Sequence, residues 1–179
     1  MINGRVGWEV RIIGPREVDG VEGGEEMLGE LVAGGEGPRI VLFLESNEFA
    51  EGRVVRLREE LLRKKARGLD LVHVNCGFLP SSERIWEDAW GMMAPKHTEG
   101  HQAHGVDGWL HLHENVGVND IEKRKEEIQT RFDEWSMADH GVALAKVEHV
   151  EMVKTFAPDV WHVVFDVRVS NRIYIATGL

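Results

Sequence analysis

Two apolar runs separated by an amphipathic stretch constrain the fold of these 179 residues more than any other feature. RIVLFLES, residues 39–46, and LVHVNC, residues 71–76, are short, continuous and rich in branched side chains, which is how a strand buried on both faces reads. Between them, Glu51 to Arg67 places Val54, Leu57, Leu61 and Leu62 on one stripe among charges and ends before Gly68. That is the period of a helix with one face in a core. The succession predicts a βαβ unit whose two strands are parallel neighbours joined by a right-handed crossover. Ligands of parallel sheets gather beyond the carboxyl ends of the strands, here Glu45, Ser46 and Asn47 on one and Asn75, Cys76 and Gly77 on the other.

The last third changes period. In VWHVVFDVRVS, Trp161, Val163, Phe165, Val167 and Val169 alternate with His162, Asp166 and Arg168, so one face of a strand is buried and the other exposed. Strands at Ala143 to Lys154 and Arg172 to Thr177 complete an antiparallel meander around it. Asp166 and Arg168 read as an exposed pair on one face. After Pro80, SSERIWEDAWGMM is a serine-capped helix with Trp86, Ala89, Trp90 and Met93 inward. A second helix runs from Asn119 to about Ser136, with Asn119 and Glu122 as a capping box and Ile121, Ile128, Phe132 and Trp135 buried. The expected class is α+β, α/β-like in its N-terminal half: one mixed sheet, an early βαβ unit, flanking helices and a C-terminal antiparallel three-strand meander. Residues 1–179 read as one globular domain, with a flexible glycine-rich loop at 20–37 and a histidine-rich loop and strand at 94–118.

A chain of this length buries roughly 70% of its unfolded surface without disulfides. Its single cysteine, Cys76, excludes an intramolecular bridge and points to a reducing compartment. With no charged-then-apolar leader visible, the expected location is cytoplasmic. No apolar run approaches the roughly 20 residues that cross a bilayer, so no membrane partner is expected. A formal net charge of −10 argues against nucleic acid, whose phosphates demand clustered positive charge. The basic stretch at 53–67 is the local exception and reads as a solvated helix face.

Five of the nine histidines lie between His97 and His113. His97 and His101 share a face of any helix, and His111 and His113 share a face of a strand whose other side carries Leu110 and Leu112. Two imidazoles from the strand with one from His97, His101 or His104 would supply the three nitrogen ligands of a catalytic zinc or similar divalent transition metal. Glu99, Asp107 or Glu114 would handle the proton of its bound water. In HTEGH the glutamate is third rather than second, so the general base of HExxH is missing and the stretch is not a zincin. The leading expectation is a small metal-dependent hydrolase. One alternative is a non-catalytic binding or assembly module that uses 94–118 and the tryptophans; a second is a cysteine hydrolase built on Cys76. The partner would be a small-molecule substrate or another protein, with homo-oligomerisation left open. Phosphate-loop, dinucleotide and GxSxG patterns are absent.

Overall fold

The computed structural model describes residues 10–13, 40–43, 46–64, 69–94, 106–141 and 143–171. The chain divides into two compact units, Met1–Leu69 and Asp70–Leu179. In the first, strands β1 (Val10–Ile13) and β2 (Ile40–Phe43) pair in parallel, from Val10 opposite Ile40 to Ile13 opposite Phe43. Helix α1 (Ala50–Arg63) follows. Its stripe is only partly realised: Leu61 is buried, whereas Leu62 is exposed.

The second unit is built on a mixed four-stranded sheet of order β3-β4-β6-β5. It comprises β3 (His73–Cys76), helix α2 (Trp86–Met93), β4 (Gly108–Gly117), helix α3 (Ile121–Ala138), β5 (Ala143–Ala157) and β6 (Val160–Asn171). β3 and β4 are parallel, while β6 runs antiparallel to both β4 and β5. The fold is α+β with a mixed sheet, as the periodicity predicts.

The partner of each N-terminal strand differs from the expectation. The run at 39–46 contributes β2, which pairs with β1, and the run at 71–76 contributes β3, which pairs with β4. The βαβ unit of the described residues is therefore β3-α2-β4, one helix later than the sequence suggests. Neither run is buried on both faces as its apolar character predicts: β3 is an edge strand with His73 and Asn75 exposed, and Leu42 of β2 is 46% exposed. The antiparallel C-terminal pair is present, and Ala157-Pro158-Asp159-Val160 turns it, with Asp159 at φ 59°; proline followed by a residue at positive φ suits a type II turn. The expected third strand, Arg172 to Thr177, lies outside the described residues, as does the loop at 20–37.

Alternation on β4 is regular: Leu110, Leu112, Glu114 and Val116 are buried, while Trp109, His111, His113 and Asn115 are half-buried. Phe165, Val167 and Val169 of β6 are fully buried beside them. Trp86, Trp90, Ile128 and Phe132 fill the helical layer, with the Phe132 ring 5.8 Å from Trp90 and 5.0 Å from Trp135. The stripe foreseen for α2 is the one observed. At the head of α3 the capping box does not form: Asp120 is the N-cap and no side chain bonds there. Gly108 sits where β4 meets β3. A Cβ there would run into the Met93 terminal methyl and lie 2.9 Å from the carbonyl oxygens of Leu71 and Val72.

Candidate functional site at the carboxyl edge of the parallel pair

Beyond the carboxyl end of β3 the chain runs through Gly77, Phe78, Leu79, Pro80, Ser81 and Ser82 to α2. Glu114, near the end of β4, holds this segment in place. Its Oε1 accepts from the Ser82 amide at 2.7 Å, the Ser82 hydroxyl at 3.0 Å and the Ser81 hydroxyl at 3.1 Å. Its Oε2 accepts from the Arg124 guanidinium of α3 at 2.9 Å. The Asn115 amide donates to the Pro80 carbonyl at 2.8 Å. The Ser82 hydroxyl, fully buried, accepts from the Trp86 indole N–H at 2.8 Å. Arg124 also reaches Glu83 at 2.9 Å and Glu127 at 3.2 Å. Burial alone would lower the Arg124 pKa, but its bonds to Glu83, Glu114 and Glu127 raise it above the ordinary arginine value.

Outward from this lock, Gly77 and Pro80 are exposed and Leu79 is 47% exposed. The Arg84 guanidinium lies 3.7 Å from the centroid of the Phe78 ring. Neither Phe78 nor Arg84 stood out in the sequence. Glu114 did, as a proton carrier, yet its place in the inward phase with Leu110 and Leu112 was the available signal: a carboxylate in that phase must bring its partners into the core.

The other predicted site residues fall in separate places. Cys76 is fully buried at the end of β3, and its thiol is pushed up to about 12 by burial first and by the Glu114 charge second. It is protonated at neutral pH and shielded, the opposite of an activated nucleophile. Asp107 is exposed and takes a 2.8 Å bond from Arg168. Arg168 therefore pairs with Asp107, and Asp166 with His111, rather than with each other. His97, Glu99, His101 and His104 lie outside the described residues.

His111 and His113 face the same side of the sheet but join different neighbours. His111 Nδ1 lies 2.7 Å from Asp166 and its Nε2 lies 3.0 Å from His73 Nδ1, with the two rings stacked. His113 Nδ1 meets His162 Nε2 at 3.1 Å. Its pKa is lowered, by burial first and then by His162 and His111, against an opposing pull from Asp166. His162, expected to be accessible, is 8% exposed and its Nδ1 has no partner. The histidine side of the sheet is thus a ladder of paired imidazoles.

No family model matches the chain. It is 33% identical over 129 residues to the tRNA wybutosine-synthesizing protein 2 of Schizosaccharomyces pombe, an alignment covering 72% of this chain and 25% of that protein. With the Saccharomyces cerevisiae protein of the same name the identity is 35% over 136 residues, covering 72% and 28%. An Arabidopsis thaliana tRNA wybutosine-synthesizing protein 2/3/4 is 36% identical over 95 residues, covering 53% and 8%. The chain spans about a quarter of the length of the two fungal relatives. Among solved structures, M. jannaschii TYW2 in complex with AdoMet aligns with TM-score 0.44 at 19% identity, over 75% of this chain and 59% of that one. P. horikoshii TYW2 in complex with MeSAdo aligns with TM-score 0.43 at 16% identity, over 90% and 57%.

The curated fungal relatives, together with the side-chain geometry, correct the zinc-type hydrolase expectation and both of its alternatives. Among the described residues no group of three or more His, Cys, Asp or Glu side chains is placed to hold a metal ion. The imidazoles of His111 and His113 are spent on Asp166, His73 and His162 instead. The expectation of no nucleic-acid partner also fails for the curated relatives, whose names place tRNA in their work. Net charge is a property of the whole chain and leaves a local base contact open. No helix among the described residues is long and apolar enough to cross a membrane.

Proposed function

We propose that this chain is part of an enzyme that builds wybutosine on tRNA, with the carboxyl edge of β3 and β4 as its contribution to the site. One observation carries the proposal: identity of 35% over 136 residues with the Saccharomyces cerevisiae wybutosine-synthesizing protein 2. The geometry supports it, because a parallel pair ending in an exposed segment fixed from behind is where sheets of this kind take their ligands. The small-molecule partner proposed is AdoMet, the ligand of the M. jannaschii protein, in place of a metal ion. Exposed Asn75, Leu79 and Pro80 offer an amide and an apolar wall, which fits one side of a nucleoside-bearing molecule. AdoMet would supply the group transferred to the RNA. Glu114 and Arg124 keep the wall in one conformation, and β3 and β4 aim it. A cytoplasmic setting belongs to the same proposal.

The test is a chimera. The matching segment of the Saccharomyces cerevisiae protein is replaced by this chain, and the chimera is supplied to yeast lacking its own copy. Wybutosine in total tRNA, read by mass spectrometry of nucleosides, is expected to return. A chimera that accumulates normally and leaves wybutosine absent would overturn the proposal.

A further inference from the structure

Three neighbouring strands of the second unit bring one acid and two imidazoles into a line. Asp166 of β6 lies 2.7 Å from His111 Nδ1, and His111 Nε2 lies 3.0 Å from Nδ1 of His73, the first residue of β3. A carboxylate only accepts hydrogen bonds, and a neutral imidazole carries a single N–H. Asp166 therefore takes the hydrogen on His111 Nδ1, His111 Nε2 is left as an acceptor, and the hydrogen between the two rings sits on His73 Nδ1. The remaining nitrogen, His73 Nε2, carries a bare lone pair on an exposed side chain and has no hydrogen bond among the described residues. The neighbours do not divert this line: His113 is bonded to His162, and His149, opposite Asp166 on β5, to Glu151.

We propose that His73 is the general base of the transfer reaction, with His111 and Asp166 as the residues that position it and take up its charge. The proposal rests on reading the chain as part of an AdoMet-using tRNA-modifying enzyme and adds to it the residue that removes a proton from the RNA. As the acceptor atom of the RNA bonds to the incoming carbon, that carbon's bond to the AdoMet sulfur breaks, its electron pair stays on the sulfur, and the acceptor's hydrogen leaves as a proton. His73 Nε2 takes that proton and His73 Nδ1 gives its own hydrogen to His111 Nε2. The imidazolium so formed lies against Asp166, which stays a carboxylate throughout. No bond in the line is lost, because the hydrogen between the rings only changes sides. The position suits the task. His73 shares a face of β3 with Asn75, exposed two residues on, and the carboxyl edge begins at Gly77. Roughly 13 Å of strand separates base from edge, and a nucleotide that enters at the edge and lies over Asn75 spans it.

The purified yeast chimera is incubated with AdoMet and tRNA from yeast lacking its own copy, and formation of the new nucleoside is timed by mass spectrometry. His73→Gln should slow it about 100-fold. Asp166→Asn, whose carboxamide can turn an N–H towards His111 Nδ1 and so reverse that ring's tautomer, should slow it comparably, and the double variant no further than either. Added imidazole should restore rate to His73→Ala, which a merely structural histidine would not allow. On the full chain by itself, imidazole nitrogen NMR should find His111 protonated at Nδ1 and bare at Nε2, and Asp166→Asn should exchange the two. A His73→Gln chimera as fast as the unmutated one would overturn the proposal. So would losses that multiply in the double variant, a His73→Ala variant that imidazole leaves slow, or a wild-type His111 protonated at Nε2. With an active unmutated chimera these results remove the base and leave the broader reading standing, whereas an inactive unmutated chimera fells both.

Discussion

Glu114→Ala should be among the most damaging single changes in the second unit. The Glu114 side chain is 3% exposed and its partner Arg124 is 19% exposed. Removing the carboxylate leaves the fully buried Ser82 amide without its acceptor, which costs about 1–3 kcal/mol for a buried donor. It also strips a partly buried guanidinium of one partner, and breaking such pairs typically costs about 3–5 kcal/mol. Arg124 keeps Glu83 and Glu127, so the sum should settle near the lower end, about 3 kcal/mol. Glu114→Gln preserves an acceptor for the serines and loses only charge assistance, for about 1.5–2 kcal/mol. Paired with Arg124→Ala, Glu114→Ala should cost at least about 1 kcal/mol less than the two single changes added. Urea unfolding followed by tryptophan fluorescence measures all four, with Trp86 close to the guanidinium as reporter. A loss below about 1 kcal/mol for Glu114→Ala, or strict additivity in the cycle, would refute the lock.

Three further outcomes are expected. Cys76, buried and with its thiol held near 12, should resist iodoacetamide at about pH 8 in the folded chain and label fully in urea; equal rates would contradict its burial. His113 has a depressed folded pKa, so the unfolded chain binds that proton more readily. Its contribution to stability is whole above the unfolded value of about 6.5 and is lost as pH falls through the folded one. His113→Gln should flatten the acid limb of a stability–pH curve, and a limb left unchanged would remove His113 as its cause. Phe165→Ala should cost about 3–5 kcal/mol, and Gly108→Ala should force β3 and β4 apart at Leu71 and Val72; melting temperatures equal to wild type for either would show the core placed wrongly.

Periodicity made much of the second unit legible. The phase of β4 separates Leu110 and Leu112 from His111 and His113, and the stripe of α2 names Trp86, Ala89, Trp90 and Met93. Strand partners were not legible, because a uniformly apolar strand fits β1 or β4 equally well by pattern. His162 shows a second limit. Its parity puts it on the polar face, but that face is no solvent surface there, since His113 packs a ring 5.2 Å away across the strands. The site was half legible. The carboxyl edge of the parallel sheet follows from topology, whereas the histidine density drew attention to side chains that bond one another. Glu114 was singled out for chemistry when its phase marked it for burial, and the Phe78–Arg84 contact joins residues six apart through a turn that no helical or strand period describes.

Hydrogen exchange on the full chain, with and without an unmodified tRNA transcript, tests most directly whether the carboxyl edge of β3 and β4 meets RNA. Slowed exchange concentrated at residues 75–84 is the predicted result. Protection confined to the exposed stretch 148–157 of β5, or no protection at a tRNA concentration that saturates binding, would contradict it.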